Sequence, residues 1–162
     1  MEFLDFTDNE DNVIGSAPKE EIYGKKLPHR IVHVFVFNDS QEMALSRRSS
    51  RVAFCPLHWC TAVAGHVVAG ETYEDAAKRE MSEEIGISAN ITYLNKDLYE
   101  AGGLKKFLVS FASSCNGPFC TSPREVECVE FFSMQEIQRM IINGEKFHPE
   151  TLFLLRRHFG IK

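Results

Sequence analysis

Residues 65–87 read GHVVAGETYEDAAKREMSEEIGI, and this stretch decides the fold of the chain. Its second half carries three carboxylates, at Glu80, Glu83 and Glu84. Residues three and four apart are neighbours on a helix, so Glu80 repels the other two carboxylates unless a cation lies among them. Carboxylate oxygens are ligands that suit Mg²⁺ or Mn²⁺. The spacing therefore predicts a helix with a divalent-cation site on one face.

The ends of this helix are also marked in the sequence. Thr72 followed by Asp75 is typical of a helix start at which a threonine side chain caps the first turn. Gly86 is placed to end the helix, because glycine readily adopts the left-handed conformation. An apolar stripe beside the acidic face predicts that the helix docks on a sheet. The stripe comprises Ala77, Met81 and Ile85.

Charge runs are usually solvated helix faces, and the segment REMSEE alone fits that interpretation. The longer pattern favours a functional site, because the stretch resembles the Nudix box at every specified position. Those positions are Gly65, Glu71, Arg79, Glu80, Met81, Glu83, Glu84, Gly86 and Ile87, with Met81 as the looser match. The resemblance implies an α/β (α+β) fold: an α/β/α sandwich with a mixed sheet between helices, in which residues 65–87 form a loop-helix-loop.

Length and composition limit the classes of protein to which this chain could belong. The length of 162 residues and the hydrophobic content of 44% predict one globular domain over residues 1–162. A net charge of −5 without a basic block argues against a nucleic-acid-binding protein. No apolar run is long enough to span a membrane, and the N-terminus lacks the features of a signal peptide. The five cysteines are therefore expected as free thiols of a cytoplasmic protein, with a zinc site as the alternative.

Apolar segments on either side of the box predict the remaining elements. An N-terminal extension over residues 1–29 should form a hairpin and a short helix that begins at Pro18. Ser133 and Glu136 form a capping box for a helix that ends at residue 142, and Pro149 begins a last helix. Strands are expected at residues 31–37, 43–46, 59–64, 91–94, 107–112 and 127–132.

The Nudix resemblance implies hydrolysis of a diphosphate linkage in a nucleoside diphosphate joined to another group. It makes Glu80 and Glu84 the leading metal ligands, with Glu83 as a further ligand or as a group that activates water. The backbone carbonyl of Ala64 or Gly65 would complete a site for Mg²⁺, with Mn²⁺ as the alternative.

The same resemblance assigns supporting roles. Arg79 would orient the carboxylates, and Glu71 would hold the loop before the helix. Glu125 lies where many members of the family carry a late acidic residue near the metal. Its alternative role is an exposed charge before a strand.

Two arginines and two aromatic residues precede the box. Arg47 and Arg48 are predicted to hold phosphate, which suits guanidinium geometry, and the alternative is a solvated strand end. Trp59 and Phe54 are expected in the core rather than in a ligand pocket.

Features outside the box resemble the isopentenyl diphosphate isomerase-like branch. These are the N-terminal hairpin, the segment 27–30 before a strand rich in Val and Phe, and Ser46-Arg47-Arg48. The isomerase carries a catalytic cysteine two residues before a metal-binding histidine. Here Ala64 stands two residues before His66, and alanine cannot transfer a proton. The isomerase carboxylates on the strand after the box are also missing, since residues 102–106 read GGLKK.

The isomerase pattern is broken whereas the hydrolase pattern is complete. The sequence therefore predicts a Mg²⁺-dependent hydrolase of a small diphosphate-containing metabolite, with isomerisation or ligand binding without catalysis as alternatives. His29 and His66 are either relics of an isomerase metal site or ordinary polar residues. Substrate selectivity is expected in loops 48–58 and 95–106, with Tyr99 or Phe107 as candidate contacts. A homodimer is the default oligomeric state of such an enzyme.

Overall fold

The computed structural model describes residues 1–162 as nine strands and four helices. The strands are β1 Phe3–Thr7, β2 Val13–Pro18, β3 His29–Phe37, β4 Met43–Arg48, β5 Trp59–Thr61, β6 Val63–His66, β7 Thr92–Ala101, β8 Leu104–Ser114 and β9 Val126–Phe132. The helices are α1 Lys19–Gly24, α2 Tyr73–Ile85, α3 Met134–Ile142 and α4 Pro149–His158. No helix is both long and apolar enough to cross a membrane. All five cysteines are free thiols.

Strand β3 organises the sheet. It pairs in parallel with β8 on one side and antiparallel with β6 on the other, and β7 lies outside β8. The end of β3 meets β4, which lies between β5 and β9. Because parallel and antiparallel pairs share one sheet, the expectation of a mixed sheet in an α+β fold is confirmed.

Both faces of β3 are buried, which explains its nearly continuous apolar sequence. Val32, Val34 and Val36 point towards α2, where they pack with Met81 and Ile85. The alternate side chains of β3 point the other way, towards α3 and α4. Ile31 and Phe35 lie there with Leu45, Ile137 and Leu154. The helices thus cover the two faces of the sheet, as expected for an α/β/α sandwich.

The predicted helix of the box is confirmed at both ends. The Thr72 hydroxyl accepts a hydrogen bond from the Asp75 amide at 3.1 Å, and Gly86 ends α2 in the left-handed conformation. The predicted apolar stripe is buried against the sheet. The capping box of Ser133 and Glu136 at α3 is also present. Local sequence therefore determines where these helices start and stop.

Three local expectations were wrong. Residues 59–64 form not one strand but two, because β5 pairs with β4 whereas β6 crosses to β3. Residues 95–106 are not a loop, since β7 and β8 form a long hairpin with its turn at Gly102 and Gly103. Phe54 is not in the core; its side chain is 60% exposed, whereas Trp59 is buried as expected.

A buried carboxylate ties the N-terminal hairpin to the rest of the fold. Asp11 lies in the turn between β1 and β2 and is 6% exposed. It accepts hydrogen bonds from Arg30 Nε at 2.6 Å and from the Tyr73 hydroxyl at 2.9 Å, and it pairs with Lys96. These partners belong to β3, the start of α2 and β7. Asp11 therefore links the first turn of the box helix to the sheet.

We expect Asp11→Asn to lower the free energy of unfolding by about 3 kcal/mol, because it leaves two cations near a buried site without their partner. Asparagine tolerates the positive φ of 66° at this position, so the change isolates the charge. Urea denaturation measures the effect. The control is Glu74→Gln, which removes an exposed pair with Lys78 and should cost less than about 0.5 kcal/mol. Equal losses in the two variants would contradict the role given to Asp11.

Candidate functional site

The box helix lies close to β6 at Gly65. A Cβ atom added to Gly65 would overlap the carboxylate of Glu80. The side chain of Glu80 is otherwise held by Arg79, whose Nη1 donates to Oε1 at 2.8 Å. Glycine at position 65 is therefore what allows a carboxylate of α2 to lie directly against the backbone of β6.

Glu84 lies one helical turn further along and contacts the same strand. Its Oε2 accepts a hydrogen bond from the Ala64 amide at 3.0 Å. Burial raises the pKa of Glu84 well above its usual value, and the charges of Glu80 and Glu125 raise it further. The positive charge of Arg48 lowers the pKa of Glu84. Glu84 is thus a buried carboxylate with acidic neighbours, and binding of a cation would stabilise its charged form.

Arg79 holds the acidic residues in place. Its Nε donates to Glu71 Oε1 at 2.7 Å, and its Nη2 donates to Glu71 Oε2 at 2.9 Å. Nη2 also donates to the backbone oxygen of His66 at 3.0 Å. Glu71 in turn accepts from the Val68 amide at 3.1 Å. Hydrogen bonds from Arg79 lower the pKa of Glu71, so this pair stays charged and clamps the loop to the helix.

Glu83 differs from its two neighbours. Its side chain is 59% exposed, and it accepts from Arg79 Nη1 at 3.2 Å. The structure therefore brings Glu80 and Glu84 together against β6 and leaves Glu83 at the rim, where water reaches it.

These residues fit a hard divalent cation. No cluster of three or more His, Cys, Asp or Glu side chains is arranged to hold a metal by itself, so the zinc alternative has no support among the cysteines. Magnesium usually binds one or two carboxylates and completes its shell with water and substrate phosphates. Glu80 and Glu84 supply two carboxylates beside the backbone of Ala64 and Gly65. Burial and the charge of Glu83 raise the pKa of Glu80, and a bound cation would relieve both effects.

The two arginines before the box point in different directions. Arg47 lies over the Trp59 ring and pairs with Glu127 at 3.3 Å, away from the box carboxylates. Arg48 donates to the backbone oxygen of Phe54 at 3.0 Å, and its charge acts on Glu84. Adjacent residues of a strand face opposite sides, so only Arg48 is in a position to contact phosphate near the carboxylates.

Glu125 joins the site from the segment before β9. Its backbone oxygen accepts from the Ser49 amide at 2.9 Å, which ties this segment to the end of β4. Its exposed carboxylate contributes to the raised pKa of Glu84. The position of Glu125 is thus consistent with the late acidic residue that the sequence suggested.

A second group of polar residues lies on the opposite face of β3 and β6, and we call it the polar cluster. It comprises Tyr23, His29, His66, Lys106 and Glu150. The Tyr23 hydroxyl and His66 Nε2 are 2.8 Å apart, and Lys106 Nζ lies 2.7 Å from Glu150 Oε1. His29 stacks on His66 with ring centroids 5.8 Å apart. The sequence pointed to the two histidines but not to Tyr23 or Glu150.

Tyr23 and Glu150 carried no motif, and only their helices bring them to the cluster. For the members of the cluster on strands, the available signal was their position, because alternate residues of β3 and of β8 share a face. His29 pairs directly with Lys106 in the parallel register, and His33 follows His29 on the same face. His33 Nε2 lies 3.2 Å from Glu150 Oε2, which anchors the start of α4 to the sheet.

Comparisons with known proteins identify the family and the fold. The family model for the NUDIX domain matches residues 27–155. A relative from Nostoc, named an uncharacterized Nudix hydrolase, is 36% identical over 113 residues, which cover 65% of this chain and 67% of the relative. An isopentenyl-diphosphate Delta-isomerase of Photorhabdus laumondii is 33% identical over 100 residues, covering 62% of this chain and 56% of the relative. The crystal structure of DR0079 from Deinococcus radiodurans superimposes with a TM-score of 0.84 at 23% identity, covering 96% of this chain and 98% of that one.

We expect Gly65→Ala to weaken binding of Mn²⁺ at least about tenfold, because the added methyl group must displace the Glu80 carboxylate. Mn²⁺ binding is measured by electron paramagnetic resonance of the free ion. The matched control is Gly24→Ala, since a Cβ atom at Gly24 meets nothing within 4 Å. Unchanged affinity in the Gly65 variant, with its fold intact, would remove Glu80 from the proposed metal site.

Proposed function

The chain belongs to the Nudix hydrolase family, and on that premise we propose that it is a Mg²⁺-dependent enzyme that cleaves a diphosphate linkage in a nucleoside-diphosphate-type metabolite. The observation that carries this proposal is the placement of Glu80 and Glu84 against the backbone of β6. A cation-dependent reaction at phosphate needs carboxylates that hold the cation, and the box supplies them.

Glu80 and Glu84 would hold a divalent cation, together with the backbone oxygen of Ala64 or Gly65. Such a cation would supply charge neutralisation at phosphate oxygens and a lower pKa for a bound water. Arg79 keeps the carboxylates in place through its bonds to Glu71 and Glu80. Arg48 would bind a phosphate oxygen, since its charge acts on Glu84 and its observed hydrogen bond goes to a backbone oxygen rather than to a carboxylate.

Proton transfer from the attacking water needs a base that water can reach. Glu83 is the favoured candidate, because it is exposed at the rim and lies next to the two proposed ligands. Glu125 is the second candidate, since it is exposed and its charge acts on Glu84 from the segment before β9. The small-molecule diphosphate is the only partner that this proposal requires.

Isomerisation is the second candidate function, and similarity to an isopentenyl-diphosphate isomerase favours it. The residues near the box carboxylates argue against isomerisation. Ala64 supplies no group for proton transfer, and Cys60 does not replace the missing cysteine. Cys60 lies on β5 rather than β6, and burial raises the pKa of its thiol to about 12. A thiol that stays protonated inside the fold is a poor base.

We expect Glu84→Gln to reduce hydrolysis at least about 100-fold, because it removes a charged metal ligand but keeps the size of the side chain. The assay incubates the purified protein and Mg²⁺ with nucleotide sugars, dinucleotides, nucleoside di- and triphosphates, coenzyme A and isopentenyl diphosphate. Mass spectrometry detects cleavage, and chromatography separates isopentenyl diphosphate from its isomer.

Glu74→Gln serves as the control on the same helix, since Glu74 is exposed and pairs only with Lys78. It should leave turnover unchanged. Full activity of the Glu84→Gln protein would contradict the proposed role of the box, and isomerised product would favour the second candidate function.

A further inference from the structure

The loop between β4 and β5 closes on a single residue, Arg48. The Arg48 amide donates to the backbone oxygen of His58 at 2.9 Å, and the Arg48 backbone oxygen accepts from the Leu57 amide at 3.1 Å. The Arg48 side chain joins the same loop, because its Nε donates to the backbone oxygen of Phe54 at 3.0 Å. Three hydrogen bonds thus tie Arg48 to residues 54–58, so the conformation of this loop sets the position of the guanidinium group.

Leu57 contacts both arginines of β4 through its backbone. Its amide donates to Arg48, and its backbone oxygen accepts from Arg47 Nε at 3.3 Å. Leu57 is 37% exposed and lies outside the three hydrophobic clusters of the fold. The contacts that organise this loop are therefore made by the backbone of Leu57 rather than by its side chain.

The backbone conformation of Leu57 is one that leucine rarely adopts. Residues 55–58 form a turn in which the His58 amide donates to the Cys55 backbone oxygen at 3.4 Å, with Pro56 in the second position. Leu57 takes the third position with a φ of 60°, where a type II turn favours glycine. Cys55 also has a positive φ, of 49°. Such conformations persist in non-glycine residues only where surrounding contacts hold them, and they cluster at functional sites.

The other end of the loop is anchored to the segment that carries Glu125. The Ser49 amide donates to the backbone oxygen of Glu125 at 2.9 Å, and Ser49 is buried. The charges of Arg48 and Glu125 both act on Glu84. Arg48 is therefore held between this anchor and the turn at residues 55–58, within electrostatic reach of a proposed metal ligand.

A fixed guanidinium group suits phosphate binding. Nε carries one of the five N–H donors of Arg48, and Phe54 accepts it; the other four donors belong to the two terminal NH₂ groups. Paired donors of this kind can bind two phosphate oxygens at once. A side chain that is already held in place loses less conformational entropy on binding than a mobile one, so the turn contributes to affinity without contacting the ligand.

We propose that Leu57 is a positioning residue whose left-handed backbone holds Arg48 in place to bind the diphosphate of the substrate. The inference rests on the proposed function, since Arg48 is the phosphate-binding residue of that proposal. It assigns the role to the backbone of Leu57 and none to its apolar side chain. A substitution that disfavours the left-handed conformation should therefore weaken binding, whereas one that favours it should not.

The test compares Leu57→Ile with Leu57→Gly. Isoleucine has the same atoms as leucine but is branched at Cβ, which disfavours a positive φ, whereas glycine adopts it freely. Isothermal titration in the presence of Mg²⁺ measures the affinity for methylenediphosphonate, a diphosphate analogue whose bridging carbon resists hydrolysis. We expect Leu57→Ile to bind at least about fivefold more weakly, because only a fraction of the molecules keeps Arg48 in place. Leu57→Gly should bind within about twofold of the unmodified protein.

Two further variants make the comparison specific. Leu98→Ile is the matched control, because Leu98 is 47% exposed on β7, where isoleucine fits the extended backbone. It should bind like the unmodified protein. Arg48→Lys keeps the charge but lacks the Nε donor, so adding Leu57→Ile to it should weaken binding no further.

Three results would overturn the inference. The first is equal affinity of the two Leu57 variants, and the second is tighter binding by the isoleucine variant than by the glycine variant. The third is an additive loss of affinity when Leu57→Ile is combined with Arg48→Lys.

Glu84→Gln in the same titration separates this inference from the proposed function. Loss of binding in Glu84→Gln, with equal binding by the two Leu57 variants, would support the metal site and overturn the role of Leu57. The expected order of the Leu57 variants, with full binding by Glu84→Gln, would support the role of Leu57 and contradict the cation-dependent site.

Discussion

The close approach of Glu80 to the backbone of Gly65 is the contact on which the rest of this structure depends. It requires a position without a side chain on β6, and it requires α2 to lie tightly on the sheet. The buried stripe of α2 and the valines of β3 supply that packing. A loose helix would separate the two carboxylates from the strand, so the apolar core sets the precision of the polar site.

Two polar centres share the short strand β6. The box carboxylates approach from the α2 face, and the polar cluster lies on the face covered by α4. His66 belongs to both, because its backbone oxygen accepts from Arg79 while its ring contacts Tyr23. Strand β6 therefore contacts one polar centre on each of its two faces.

Burying so many ionisable groups destabilises the fold, and in each polar centre an opposite charge offsets part of this effect. Arg79 offsets the charge of Glu71 and Glu80 on one side, and Lys106 offsets Glu150 on the other. Hydrogen bonds and charges from His33 and Lys106 more than overcome burial, so the pKa of Glu150 lies below its usual value. Glu80 and Glu84 are the exceptions, since burial and acidic neighbours raise the pKa of both. An acidic group left under strain is typical of a functional site rather than of a structural ion pair.

The sequence by itself determined the box helix, its caps, its apolar stripe and the central strand, because these depend on contacts between residues a few positions apart. It also placed the acidic residues on one helix and indicated the family. Only the tertiary structure separated Arg47 from Arg48, divided residues 59–64 between two strands, and brought Tyr23 and Glu150 to the histidines. Those outcomes depend on which strands pair and on where distant helices dock. Such pairing arises from non-local packing, which local periodicity does not encode.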